Sequence, residues 1–253
     1  MIHALKAEIT KLTSIRSTWV YLVLLVGSIA GPITLMSVIP QDGGVELGWS
    51  ELAIGQSIFM IIALIFAASS VAGDIGHHMV AHSFLTQRNR SQWIVAKLLV
   101  IVGVLEVALF VGLAASFVVA QVVPQVNWNG GDGFSILVAA LSLPAYALMA
   151  AGVAAITRSK LAGSGLLIAL FLVVEPLVQM GASRAPWVET VYKLLPGGRA
   201  SDLVTWHNLK GMGVNMADHP MITGPELAVS VIAVWTVALV VAGLVSNQTR
   251  DVK

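Results

Sequence analysis

The stretch Leu52–Gly73, LAIGQSIFMIIALIFAASSVAG, decides the fold: it is long, continuously apolar and free of Asp, Glu, Lys and Arg. A bilayer core needs about 20 such residues to be crossed by a helix. The run does not alternate between apolar and polar positions, which a membrane β-strand would require. It therefore predicts a transmembrane helix. Five further stretches have the same character, at Trp19–Ser37, Leu98–Val123, Phe134–Ile156, Leu161–Met180 and Leu227–Val245. Two of the six contain an acid: Glu106 lies near the middle of the third, and Glu175 precedes Pro176 in the fifth. The composition agrees. The chain has 253 residues, 57% of them hydrophobic and 11% charged, where a soluble domain carries about 25% charged residues. A single soluble core stops growing near this length, so much of the apolar surface must face lipid. The predicted class is all-α: a polytopic membrane protein with six transmembrane helices.

Orientation follows from the basic residues, which concentrate on the cytoplasmic side. With the N-terminus inside, Lys6, Lys11, Arg16, Arg88, Arg90, Lys97, Arg158, Lys160, Arg250 and Lys253 are all cytoplasmic. The outer loops Val38–Glu51 and Pro124–Gly133 carry no Lys or Arg; Arg184, Lys193, Arg199 and Lys210 fall in one long outer loop, and long loops weigh less in this rule. An even number of spans returns the C-terminus to the cytoplasm. Trp19 and Trp93 fall at inner span ends and Trp49 and Trp128 at outer ones, the depth at which amphipathic rings anchor. The first span is too long for the apolar region of a signal peptide and no small-x-small site follows it, so it reads as a retained helix in a multi-pass protein of the cell membrane.

Three segments lie outside the spans. In residues 1–17, Ile2, Leu5, Ile9, Leu12 and Ile15 recur at three- and four-residue spacing and predict an amphipathic helix. Lys6, Lys11 and Arg16 suit anionic headgroups, so this helix is expected to lie in the inner interface. The inner loop Gly73–Lys97 has room in residues 74–92 for a short helix and a basic turn. The outer loop, residues 181–225, holds Trp187, Val188, Val191, Tyr192, Leu194 and Leu195, a short interfacial or re-entrant helix closed by Pro196-Gly197-Gly198.

Catalytic signatures are missing from the sequence. No Gly-x-x-x-x-Gly-Lys-Ser/Thr string cradles a nucleotide, no Gly-x-Ser-x-Gly elbow occurs, and no His-Glu-x-x-His pair is present. With no cysteine, thiol chemistry and disulfides are excluded. His3, His77, His78, His82, His207 and His219 all fall outside the spans. Asp74, His78 and His82 share one helical face, a spacing able to hold zinc; we read it instead as the polar face of a loop helix. Acids within spans are costly in lipid and often functional, which makes Glu106 and Glu175 candidates for a substrate path, or else buried carboxyls bonded to a neighbouring helix. Gly27 and Gly31 form a Gly-x-x-x-Gly pair that permits close approach of a second helix and is a candidate dimer contact.

The inner loop also carries a resemblance. The lead-in LKAEITKLTSIRSTW at Leu5–Trp19, the order Asp74, Ser83-Phe84-Leu85, Arg88, Arg90, Ala96-Lys97-Leu98, and LLPGGRASDL at Leu194–Leu203 are similar to runs in the membrane subunit of ATP-binding-cassette exporters of the second permease class. That family usually has Glu at the place of Asp74 and a Gly-Thr pair at the place of His78-Met79. The resemblance implies a permease that forms the substrate path, pairs with a second, identical permease copy, and couples to two separate ATPase subunits. Asp74, His77, His78, Ser83, Phe84, Arg88 and Arg90 would then be the ATPase-coupling residues. ATP and magnesium would be held by the partner, with no cofactor on this chain, no catalytic residue and no nucleic-acid role. The competing expectations are an ion-coupled secondary carrier using Glu106, against which the halves show no inverted repeat, and a non-transporting anchor or sensor subunit.

Overall fold

A computed structural model describes residues 2–39, 44–76, 90–182 and 184–249. Six helices in it are long and apolar enough to cross a membrane. A short helix α1 (Ile2–Ser14) leads into α2 (Arg16–Val38), followed by α3 (Gln56–Gly76), α4 (Arg90–Val122), α5 (Phe134–Thr157) and α6, which runs Lys160–Ala182 with one π-helical turn at Leu170–Val174. Two helices, α7 (Pro186–Lys193) and α8 (Arg199–Gly211), precede the last span, α9 (Pro225–Thr249). The chain is thus a multi-pass, all-α membrane protein, as the apolar runs predict.

The spans are held around α5. It packs against α3, α4, α6 and α9, and it is the most buried of the six, whereas α9 is the least. Its sequence, FSILVAALSLPAYALMAAGVAAIT, explains this position. Hydrophobicity gives no driving force between helices in lipid, so association depends on close packing, and small residues permit it. Gly152 faces the α9 backbone, where an added Cβ would collide with the Leu239 carbonyl, and a Cβ added to Gly243 would in turn lie 3.0 Å from the Gly152 carbonyl oxygen. The valine- and leucine-rich outer faces, such as Val20, Val23 and Leu24 of α2 and Val234, Val237 and Val241 of α9, stay exposed, as lipid-facing surfaces should.

The turn between α5 and α6 is short because Arg158 adopts the left-handed conformation (φ 55°) that ends α5, and the Ser159 hydroxyl accepts the amide of Ala162 to begin α6. At the opposite end of the bundle two connections expected to be plain loops pair as a parallel ribbon, β1 (Val45–Gly48) with β2 (Val126–Gly130). Trp49 stacks on Phe117 with centroids 5.4 Å apart, and Trp128 stands edge-on to both rings at 5.2 Å. This aromatic cluster fixes the ribbon to the end of α4.

A methyl group at Gly152 has nowhere to go, because the obstacle is backbone. Gly152→Ala should therefore destabilise the purified protein by about 1–3 kcal/mol and lower its melting temperature. Gly165→Ala, which meets open space, serves as the control. Equal melting of the two variants would contradict the packing described.

Candidate functional site

Several of the charged residues that the sequence places in or beside the spans gather in two clusters, one at each end of the bundle. The first joins α1 to the ends of α3 and α4. Lys97, only 2% exposed, reaches the Glu8 carboxylate at 3.1 Å and also pairs with Asp74. Asp74 in turn pairs with Lys11. The indole of Trp93 donates to Glu8 at 3.0 Å, and Lys97 donates to the Ser70 carbonyl at 3.4 Å. Three helices from separate parts of the sequence therefore share one buried network of two carboxylates and two ammonium groups.

This network sets the face that α1 presents. The apolar periodicity predicts a stripe of Ile2, Leu5, Ile9, Leu12 and Ile15, but the buried side carries Ala4, Glu8 and Leu12, while Ile9 and Ile15 are exposed. The helix is rotated so that Glu8 meets Lys97, since an unpaired buried ammonium costs more than an exposed isoleucine. Trp93 differs for the same reason: it is buried on Glu8 rather than free at the interface. Neither Glu8 nor the burial of Lys97 was singled out by the sequence. The available signal was Glu8 lying one turn from Leu5 and Leu12, on the edge of the apolar stripe.

The second cluster lies at the other end. Glu175, 3% exposed, accepts the amide of Gly197 at 2.7 Å and that of Gly198 at 2.8 Å, one on each carboxylate oxygen. The Tyr146 hydroxyl donates to the Pro196 carbonyl at 3.0 Å. The Pro196-Gly197-Gly198 turn is thereby held over α5 and α6, and a Cβ on Gly197 would strike Glu175 Oε2 at 2.7 Å. Arg199 follows, fully buried. It pairs with Asp202 at 2.9 Å, lies 4.6 Å from the centre of the Tyr192 ring, and donates to the Thr223 hydroxyl. Thr223 closes the loop by donating its amide to Asp202 at 3.1 Å. Burial pushes the Tyr192 phenol above its ordinary value; the Asp202 carboxylate adds to the rise, and the Arg199 guanidinium opposes it. A cavity of 320 Å³ opens here, lined by Glu175, Gln179, Tyr192 and Thr205. The π-helical turn directly precedes Glu175, and such turns often mark functional positions.

The remaining candidates are dispersed. His77, His78, Ser83, Phe84 and Arg88, together with His82, lie outside the described residues, and Arg90 is the first residue of α4. Asp74 stands on the last turns of α3 with its carboxylate taken up by Lys11 and Lys97. Glu106 is half-buried in the middle of α4 and forms no hydrogen bond or ion pair among the described residues. An added Cβ on Gly27 or Gly31 would meet nothing within 4 Å, so this face of α2 is open to a second molecule or to lipid. No group of three or more His, Cys, Asp or Glu able to hold a metal occurs among the described residues.

Glu175→Gln puts an amide donor against a backbone N–H donor and leaves one buried glycine amide without an acceptor, a cost of about 1–3 kcal/mol. The variant should melt at a lower temperature than the wild type, and Gly197→Ala should do the same by pushing on the Glu175 carboxylate; unchanged melting of both would show that the turn is not held as described. Comparison with family models, with curated proteins and with solved structures finds no match to this chain.

Proposed function

We propose that this membrane protein is the permease subunit of an ATP-binding-cassette exporter, working as a pair of identical copies with two separate ATPase subunits. The observation that carries the reading is the Glu8–Lys11–Asp74–Lys97 network. It binds α1, the end of α3 and the start of α4 into one unit on either side of the connection between α3 and α4. In the proposed mechanism that connection docks on the ATPase, and His77, His78, Ser83, Phe84, Arg88 and Arg90 make the contact. Asp74 positions the connection through Lys97 and Lys11 rather than touching the partner. When the ATPases close, force on the connection is passed to three helices at once, because the paired charges cannot separate without leaving a buried charge uncompensated.

Two further features support the reading. The sequence carries no nucleotide-binding loop, so a transport cycle driven by ATP needs an engine on another chain. The excess of Lys and Arg puts the connection on the cytoplasmic side, where ATP is found. In this reading Glu106 and Glu175 border the substrate path, and Gly27 with Gly31 face the second permease. A proton-coupled carrier is the second reading, favoured by one observation: Glu106 is an acid in the middle of a span without a side-chain partner among the described residues.

The two readings separate on one preparation. Purified alone, the protein should hydrolyse no ATP; co-expressed with the ATPase encoded for it, it should co-purify as a stable complex whose hydrolysis responds to the membrane subunit. Arg88→Glu combined with Arg90→Glu should abolish that complex. Assembly and transport unchanged in the double variant would remove the coupling assignment. Transport without any ATPase, lost on Glu106→Gln and on collapse of the proton gradient, would establish the carrier instead.

A further inference from the structure

A cavity of 340 Å³ opens beside the buried charge network, between α1, α2, α3, α4 and the start of α6. Its walls are cationic. Lys11, Lys97 and Lys160 line it, and Glu8 and Asp74 neutralise only two of these three charges. Lys160 is the unmatched one. It is exposed, leans over Gly73 so that its Nζ lies 4.0 Å from the place of an added Cβ, and its ammonium forms no hydrogen bond or ion pair among the described residues.

The N-terminus of α2 faces the same space. The residue before it, Ile15, supplies no side-chain cap, and its carbonyl accepts the Thr18 amide at 3.1 Å; the amides ahead of Thr18 carry the positive end of the helix dipole. Ser17 and Thr18, on the first turn, line the cavity. Thr18 is 6% exposed, yet its hydroxyl forms no hydrogen bond among the described residues. Elsewhere in this region hydroxyls turn back to the helix, as Thr10 does to the Lys6 carbonyl at 2.9 Å and Ser14 to the Thr10 carbonyl at 2.7 Å. An unpaired hydroxyl on a largely buried residue that lines a polar cavity is available to a ligand.

An unmatched ammonium, an uncapped helix N-terminus and a buried free hydroxyl converge on one small space at the end of a membrane bundle. We propose that this cavity is a binding site for a phosphate group, carried by the headgroup of an anionic phospholipid. A phosphodiester bears one negative charge, which matches the single uncompensated cation. Its oxygens accept from Lys160, from the Thr18 hydroxyl and from the amides of α2 that precede Thr18. Basic pockets between transmembrane helices at the cytoplasmic face suit this chemistry. A bound headgroup would bridge α1, α2 and α6, and the site holds whether or not an ATPase partner binds.

The test uses the full-length protein in a neutral detergent, with its melting temperature followed as short-chain phosphatidylglycerol, phosphatidylcholine or inorganic phosphate is added. Phosphatidylglycerol should raise the wild-type melting temperature saturably, and phosphatidylcholine, whose choline meets the lysines, should do so far less. Lys160→Gln and Thr18→Val should each shift the half-saturating concentration upward, roughly fivefold for the lost charge, while melting without lipid stays near wild type. Lys160→Arg should restore binding. If inorganic phosphate gives the same saturable rise and loses it in Lys160→Gln, the site takes free phosphate rather than a lipid headgroup. Equal stabilisation by the two lipids, or wild-type half-saturation in both variants, overturns the proposal.

Discussion

The structure depends on how a lysine ammonium is kept in a place where water is scarce. Lys97 sits 2% exposed at the end of a transmembrane helix. A charge there is tolerable only if carboxylates meet it with good geometry, and removing one partner leaves the other stranded. Its two acids come from far away in the sequence, Glu8 on the leading helix and Asp74 at the end of α3. The requirement therefore reaches well beyond one ion pair. It brings α1 against the bundle, selects which side of that helix is buried, and places Trp93 as a donor to Glu8.

The far end answers the same demand with backbone groups. The helices there are interrupted by Pro196-Gly197-Gly198 and by the residues around Thr223, and irregular backbone next to a bilayer must find hydrogen-bond partners within the protein. Glu175 supplies two acceptors to glycine amides, Tyr146 a donor to a proline carbonyl, and Asp202 an acceptor to Thr223. The ribbon of β1 and β2 does likewise for the shorter connections. A span acid such as Glu175 thus has a holding role as well as a cavity to face. Glu106, half-buried in α4, has no such partner among the described residues.

The spans were readable because their signal is local. Each needs about 20 apolar residues in a row, and the helix ends fall close to the ends of those runs, as in Phe134–Thr157 against the expected Phe134–Ile156. What could not be read was long-range. A parallel pairing of Val45–Gly48 with Val126–Gly130 leaves no turn signature between its strands. The close approach of Gly152 to Gly243 involves two glycines among many, whereas a Cβ added to Gly27 or Gly31, the pair set apart by its spacing, would meet nothing within 4 Å. The outer segment was expected to hold one short helix; α8 follows the Pro-Gly-Gly turn because Arg199 is pulled into the interior by Asp202 and Tyr192. At the candidate sites Asp74 and Glu175 stood out as acids, but their partners Lys11, Lys97 and the two glycine amides are defined only by the folded contacts.

These contacts give the proposed coupling its physical content, since a connection whose flanks are tied to α1 moves the bundle when it is pushed. The account stands on the mutual dependence of the buried charges, and a stability comparison measures it. Lys97→Met alone strands Glu8 and leaves Asp74 with Lys11 as its one partner, and should cost about 3–5 kcal/mol of unfolding free energy. Adding Glu8→Gln and Asp74→Asn to the same protein removes both carboxylates, leaves only the partly exposed Lys11, and should recover most of that loss. If the triple variant is instead less stable than Lys97→Met by the sum of the separate losses, the three residues do not form one network, and the junction of α1, α3 and α4 is not held as described.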